Sequence, residues 1–148
     1  MAKFIFKMEN ILEVKRKLED QAKSAYAAAL AVLEEEQQKL RQLEEKKEGY
    51  KARLRSMMYA TLQVDQIKHL EDAVEVMKYR IQEQMIYVQD AQIKAERARQ
   101  ALQAAVVERK TYEKLKEKAF EEFKEEINAQ EKKEVDELVS YKFSIPSE

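Results

Sequence analysis

The chain has 148 residues, of which 39% are charged, and its net charge is −1. This balance leaves no basic face for nucleic acid, and the absence of cysteine excludes disulfides and thiolate chemistry. No apolar run reaches the roughly 18 residues of a membrane span, so direct membrane insertion is not expected. With one glycine and one proline, little interrupts a helix between residues 8 and 140.

Apolar residues recur at steps of three and four along most of the chain, which is the pattern of a coiled coil. Clear examples are Leu40, Leu43, Tyr50 and Leu54, followed by Val74, Met77, Ile81, Met85 and Val88. We therefore predict an all-α fold, a long two-helix antiparallel coiled-coil hairpin that forms a single domain over residues 1–148. The first helix is expected at about 8–56 and the longer second helix at about 65–141, with a bend at about 57–64 and a frayed tail at 142–148.

The predicted bend lies in the stretch Ser56–Val64, which carries no charged residue. With the bend centred near position 62, facing residues have numbers that sum to about 124. This register pairs Leu43 with Ile81, Leu18 with Val106, Leu12 with Tyr112 and Phe4 with Phe120, and it sets two alanine-rich segments against each other. A bend at Gly49 would instead place apolar side chains against charged ones, which is unfavourable.

The predicted helices differ in length, because the first helix runs out of residues opposite Phe120. Residues 121–140 are therefore expected to have no partner within the hairpin. This overhang keeps an apolar stripe, the overhang stripe, which consists of Phe123, Ile127, Val135 and Leu138. Such a stripe is either a self-association seam, or modest apolar decoration of a solvated helix, or a surface that another protein covers.

No set of residues in the sequence resembles a catalytic site. His69 is the only histidine, so metal clusters and histidine-based triads lack their residues. We predict that the chain is not an enzyme and that it holds no cofactor and no metal. Tyr59 and Leu62 are apolar at a bend where an exposed turn is usually polar, which indicates a binding tip.

Three segments of the chain are informative: Phe4-Ile5-Phe6 followed by Ile11-Leu12-Glu13-Val14-Lys15, then Glu108–Lys118, then Glu131–Leu138 with its acidic and basic run. These segments resemble the FliJ family, whose members are soluble components of the flagellar type III export apparatus. The resemblance covers the whole chain, including its length. It implies an antiparallel coiled coil with a longer C-terminal helix, similar in shape to the gamma subunit of rotary ATPases.

The resemblance also implies a function as a non-enzymatic central stalk. The paired termini of such a stalk enter the ring of the export ATPase FliI, and the middle of the coiled coil reaches the export gate protein FlhA. Escort of export chaperones is a further role in the family. The expected location is the cytoplasm, with peripheral association at the cytoplasmic face of the cell membrane at the flagellar base.

The expected contact residues combine this resemblance with the apolar pattern. Those expected at the ATPase ring are Phe4, Phe6, Ile11, Arg109, Lys114, Phe123, Ile127, Val135 and Leu138. Those expected at the export gate are Tyr50, Tyr59, Leu62 and Leu70.

Two other functions agree with the residue pattern. One is a structural tether that homodimerises through the same seam, as a parallel dimer roughly 200 Å long if residues 8–140 stay straight. The other is a chaperone-like hairpin that grips unfolded export clients with the overhang stripe and needs no ATPase.

Overall fold

A computed structural model describes residues 2–59 and 63–144. Within these ranges the chain forms two helices, α1 (Glu9–Met57) and α2 (Val64–Ser144), and no strand. The two helices pack against each other, so the predicted helical hairpin is confirmed. Each inner helix end lies within one residue of its predicted position, whereas α2 continues three residues beyond the predicted end at Tyr141.

The helix ends explain why the chain leaves the helical path near residue 58. The Tyr59 amide donates to the Ser56 carbonyl at 3.3 Å, which tightens the end of α1 into a 3₁₀-like turn. The Ile67 amide donates to the Gln63 carbonyl at 3.1 Å. Asp65 therefore lies inside the first turn of α2, where its carboxylate interacts favourably with the helix dipole.

The contact between the helices, which we call the seam, follows a strict heptad repeat. In α1 the buried and half-buried seam residues are Leu12, Lys15, Glu19, Ala22, Tyr26, Ala29, Leu33, Glu36, Leu40, Leu43, Lys47, Tyr50, Leu54 and Met57. In α2 they are Ile67, Leu70, Val74, Met77, Ile81, Gln84, Val88, Ala91, Ala95, Ala98, Leu102, Ala105, Arg109, Tyr112, Lys116, Ala119 and Phe123. Alternating steps of three and four keep one face of each helix against its partner over many turns.

The chain divides into two compact units, and each helix contributes to both. The bend unit is Gln21–Gln103, and its buried apolar residues are Val74, Met77, Ile81, Val88, Ala91 and Ala95. Met85, which the apolar pattern assigned to the seam, is 53% exposed, so that assignment is wrong. Gln84 takes the seam position instead, since its side-chain nitrogen donates to Glu36 at the backbone oxygen (2.9 Å) and at the carboxylate (2.5 Å).

The terminal unit consists of the described parts of Met1–Asp20 and Ala104–Glu148. Leu12 is completely buried in it, as the register requires, and the Phe4 and Phe120 rings that were predicted to face each other lie 5.2 Å apart. Leu18 was expected to face Val106 but is exposed, so that pair is wrong. Leu18 lies one residue before the heptad position, which Glu19 occupies, and Glu19 is buried there.

Candidate binding surfaces

The residues before α1 lie against α2 and extend the hairpin beyond the first helix. Phe4 packs edge-on against Phe120 and, at 5.4 Å between ring centroids, against Phe123. Phe6 is buried, and its carbonyl accepts a hydrogen bond from the Glu9 amide at 3.2 Å. These aromatic contacts attach an extended segment to the helix, because Phe rings contribute large apolar areas and favourable edge-to-face geometry.

This N-terminal segment corrects the predicted extent of the overhang. Phe123 was expected to lack a partner, but it contacts Phe4. A cleft of about 400 Å³ between the segment and α2 is lined by Lys3, Phe4, Ile5, Phe6, Lys7, Met8, Ala119, Glu122, Phe123 and Glu126. Ile127 is half-buried, and every residue from 128 to 144 is exposed. The part of α2 that is free in the described chain therefore begins after Ile127, and it includes Val135 and Leu138.

Arg109, expected at the ATPase ring, lies in the seam of the terminal unit. Its Nε atom is 2.5 Å from Glu19 Oε2, and its Nη1 atom is 2.8 Å from Glu113 Oε2. The hydrogen bond to Glu19 raises the pKa of Arg109 above its usual range, and the hydrogen bond to Glu113 adds a smaller effect in the same direction. The guanidinium is therefore already satisfied within the chain, and it joins the two helices.

The other two residues expected at the ring, Ile11 and Lys114, are exposed and lie outside the heptad positions. The structure thus brings Phe4, Phe6 and Phe123 together at one surface. Ile11 and Lys114 lie on outward faces of the same unit.

The second surface lies beside the bend. Tyr59 is 94% exposed, whereas Tyr50 and Leu70 are half-buried seam residues. Leu62, also expected at the export gate, lies outside the described residues. A cleft of about 420 Å³ opens beside the bend and is lined by Arg53, Ser56, Met57, Gln66, His69 and Leu70. Met57 and Leu70 give this cleft apolar surface, and its other lining residues are polar or charged.

Two polar layers of the seam escaped the sequence reasoning. Glu19 with Arg109 forms one, and Glu36 with Gln84 forms the other. All four residues occupy heptad positions. Their spacing alone therefore indicates that they belong to the seam, although they are not apolar. The polar side chains of each layer bind each other across the two helices. Such a polar layer in a coiled coil can specify the register of the helices.

Within residues 2–59 and 63–144, no group of three or more metal-ligating side chains is suited to hold an ion. In the same part of the chain, neither helix has a segment long and apolar enough to cross a membrane.

The comparisons with known proteins agree with this architecture. The profile of the family described as flagellar FliJ protein matches residues 4–147. Among solved structures, CT670 from Chlamydia trachomatis, described as a YscO homologue, is similar in fold with a TM-score of 0.65. The two chains are 24% identical, and the match covers 94% of each, so this likeness supports the fold alone. No curated protein sequence matches the chain. Because the family match spans nearly every residue, the chain belongs to the flagellar FliJ protein family.

Proposed function

We propose that this chain is the non-enzymatic central stalk of the flagellar export ATPase ring and that it also contacts the export gate. Its family makes it a component of the flagellar type III export apparatus. The observation that carries the stalk proposal is the exposed end of α2. Residues 128–144 are helical and all exposed, so no other described part of the chain covers them.

This free end of α2 exposes several large apolar side chains, which is unusual for a helix surrounded by water. Its exposed apolar residues are Val135, Leu138, Val139, Tyr141 and Phe143. Val135, Leu138 and Val139 lie within about 100° of one another around the helix, and an exposed apolar cluster of this kind usually marks an interaction site. A helix of this length spans roughly 25 Å, which is suitable for insertion into the central opening of a ring. We therefore assign the ring contact to Val135 and Leu138 with their neighbours. The aromatic cluster of Phe4, Phe120 and Phe123 lies at the same helix before this free end and is a second part of the proposed contact.

The surface beside the bend is the candidate contact with the export gate. Tyr59 is almost fully exposed, and it follows Met57, which lines the cleft beside the bend, by two residues. An aromatic side chain beside an apolar cleft is the usual composition of an interaction hot spot. Tyr50 and Leu70 contribute through the seam beneath this surface.

The proposed partners are a FliI-like export ATPase, a FlhA-like export gate protein and export chaperones. The ATPase supplies the chemistry, and the stalk changes the relative stability of the states of the ring, which requires different contacts with successive subunits. The proposed location is the cytoplasmic face of the cell membrane at the flagellar base, with peripheral association.

Removal of residues 128–148 tests the stalk proposal. The cut spares Phe123, which supports Phe4, so the thermal unfolding of the hairpin is expected to remain unchanged. Stimulation of ATP hydrolysis by the purified export ATPase is expected to disappear. A Val135→Ser/Leu138→Ser variant should lose most of the stimulation, whereas Val107→Ser, a matched change at an exposed valine elsewhere on α2, should retain it.

The two other functions predict different results. The straight parallel tether disagrees with the observed packing of α1 on α2 within one chain. A chaperone-like hairpin would use the same exposed end of α2, but it would suppress aggregation of unfolded export clients in the absence of ATPase. Full stimulation by the truncated chain, together with lost client protection, would replace the stalk proposal by the chaperone one.

A further inference from the structure

An apolar stripe lies on the outward face of α2 in the bend unit, opposite the seam. It consists of Tyr79, Ile86 and Ile93, which are 69%, 66% and 46% exposed. They follow one another at intervals of seven residues, so they form one line along the helix. The outermost line of a two-helix coiled coil is normally polar. We call these three residues the outer stripe, and neither the seam nor the proposed ring and gate contacts use it.

The residues beside the outer stripe are unusual for this chain. One flank carries the amides Gln82 and Gln89, and the other carries the carboxylates Glu83 and Asp90, all of them exposed. Asp90 also forms an ion pair with Lys94 on the same helix, at 3.0 Å. Each amide lies one residue before a carboxylate in the sequence. The two flanks therefore differ in chemistry, with hydrogen-bond donors on one side of the stripe and acceptors on the other.

We propose that the outer stripe binds the outer stripe of a second copy of this chain, with the two α2 helices parallel and in register. In a parallel pair, opposite flanks of the two helices face each other, as e and g positions do in parallel coiled coils. Gln82 and Gln89 of one copy then lie level with Glu83 and Asp90 of the other and donate hydrogen bonds to them. The three apolar residues meet their own equivalents between these polar rows.

The charges decide against the antiparallel arrangement. There, identical flanks face each other, so the acidic flank of one copy would meet the acidic flank of the other. Glu83 would lie beside the second copy's Asp90, and like charges at such positions are destabilising. The self-complementary arrangement is therefore the parallel one, and an exact twofold axis along the helices relates the two copies.

The expected dimer is weak. Three apolar side chains and their polar flanks bury less area than the roughly 1,200 Å² of a standard interface. The dimer should thus form only at high concentration. This distinguishes it from an obligate dimer, which would need a larger apolar face.

Analytical ultracentrifugation and cysteine cross-linking test the proposal. Over concentrations from about 1 μM to about 1 mM, the wild-type chain should shift from monomer to dimer. Ile86→Glu, which places a carboxylate at the centre of the contact, should raise the dissociation constant more than about tenfold. Val14→Glu, at an exposed valine on α1, should leave it unchanged. A chain that stays monomeric over the whole range would overturn the proposal and leave the stripe to a different protein.

The orientation has its own test, which is direct because the chain contains no cysteine. Ile86→Cys, Tyr79→Cys and Ile93→Cys chains should each form disulfide-linked dimers with themselves on mild oxidation, whereas Val14→Cys should not. A size-tagged Tyr79→Cys chain mixed with an untagged Ile93→Cys chain should give few mixed dimers. Predominantly mixed dimers would mean an antiparallel contact and would overturn the parallel arrangement.

Discussion

The Arg109 guanidinium lies against the Glu19 carboxylate across the two helices, with 2.5 Å between Nε and Oε2, although both residues occupy seam positions. Glu19 is only 6% exposed. A carboxylate held so far from water is stable as an ion only while a cation is paired with it. While Glu19 occupies this buried seam position, its carboxylate therefore depends on a paired cation such as Arg109.

Replacement of this pair should be strongly non-additive. Arg109→Met removes the cross-helix partner of a buried carboxylate and should lower the melting temperature clearly. The double variant Arg109→Met/Glu19→Leu replaces the polar layer by apolar side chains, and we expect it to be at least as stable as the wild type. Thermal unfolding followed by circular dichroism measures all the variants. A double variant as unstable as the single one would show that the pair stabilises the fold in its own right.

The terminal unit should be more sensitive to salt than the bend unit. Ion pairs join its helices at Lys15–Glu108 (3.3 Å), Arg16–Glu113 (3.5 Å) and Lys116–Glu9 (2.8 Å), in addition to Arg109. Partly exposed pairs are screened as the Debye length falls from about 10 Å at 0.1 M salt to about 3 Å at 1 M. Amide hydrogen exchange of residues 9–20 and 104–116 should therefore accelerate in high salt.

The apolar seam of the bend unit is the internal control for this experiment. The segment 74–95 is held to α1 mainly by buried Val, Met, Ile and Ala side chains, and high salt does not weaken apolar burial. Equal acceleration in both units would contradict the assignment of electrostatic stabilisation to the terminal unit.

The N-terminal segment should be anchored mainly by Phe4. Phe4→Ala removes the ring contacts to Phe120 and Phe123, and we expect a loss of about 1–2 kcal/mol, less than for a fully buried phenylalanine. Ile5→Ala is the matched control because Ile5 is exposed, and its effect should stay within about 0.5 kcal/mol. Chemical denaturation measures both. Equal effects would show that the segment is not held by the aromatic cluster.

The extent of sequence-based prediction can be traced to particular residues. Scarcity of helix breakers and heptad spacing predicted both helices, and the numerical register placed Phe4 opposite Phe120, because a short bend fixes the pairing of an antiparallel hairpin. Glu19 and Arg109 were missed as a pair, since an apolar pattern does not identify charges that satisfy each other in a seam. The cover over Phe123 was missed because residues 2–8 form no regular element whose position periodicity can predict.

The distinction between seam and outward positions can be measured within one turn of α2. Ile81 is 8% exposed, and its neighbour Met85 is exposed although the apolar pattern assigned it to the seam. Ile81→Ala should lower the free energy of unfolding by about 2–4 kcal/mol through the cavity it creates. Met85→Ala should change it by less than about 0.5 kcal/mol. Similar losses at both positions would contradict the observed seam.

The proposed contact with the export gate can be tested at Tyr59 without disturbing the hairpin. Its ring is almost fully exposed and has little to lose in the free chain, so Tyr59→Ser should leave helicity and melting temperature unchanged. If this ring inserts into the gate, its loss should weaken capture of the purified gate domain by at least about tenfold, as expected for an aromatic hot spot. Val14→Ser, which removes an exposed apolar residue from the terminal unit, is the matched control and should bind normally. Binding measured by calorimetry that is unchanged in Tyr59→Ser would exclude this ring and direct attention to the cleft lined by Met57 and Leu70.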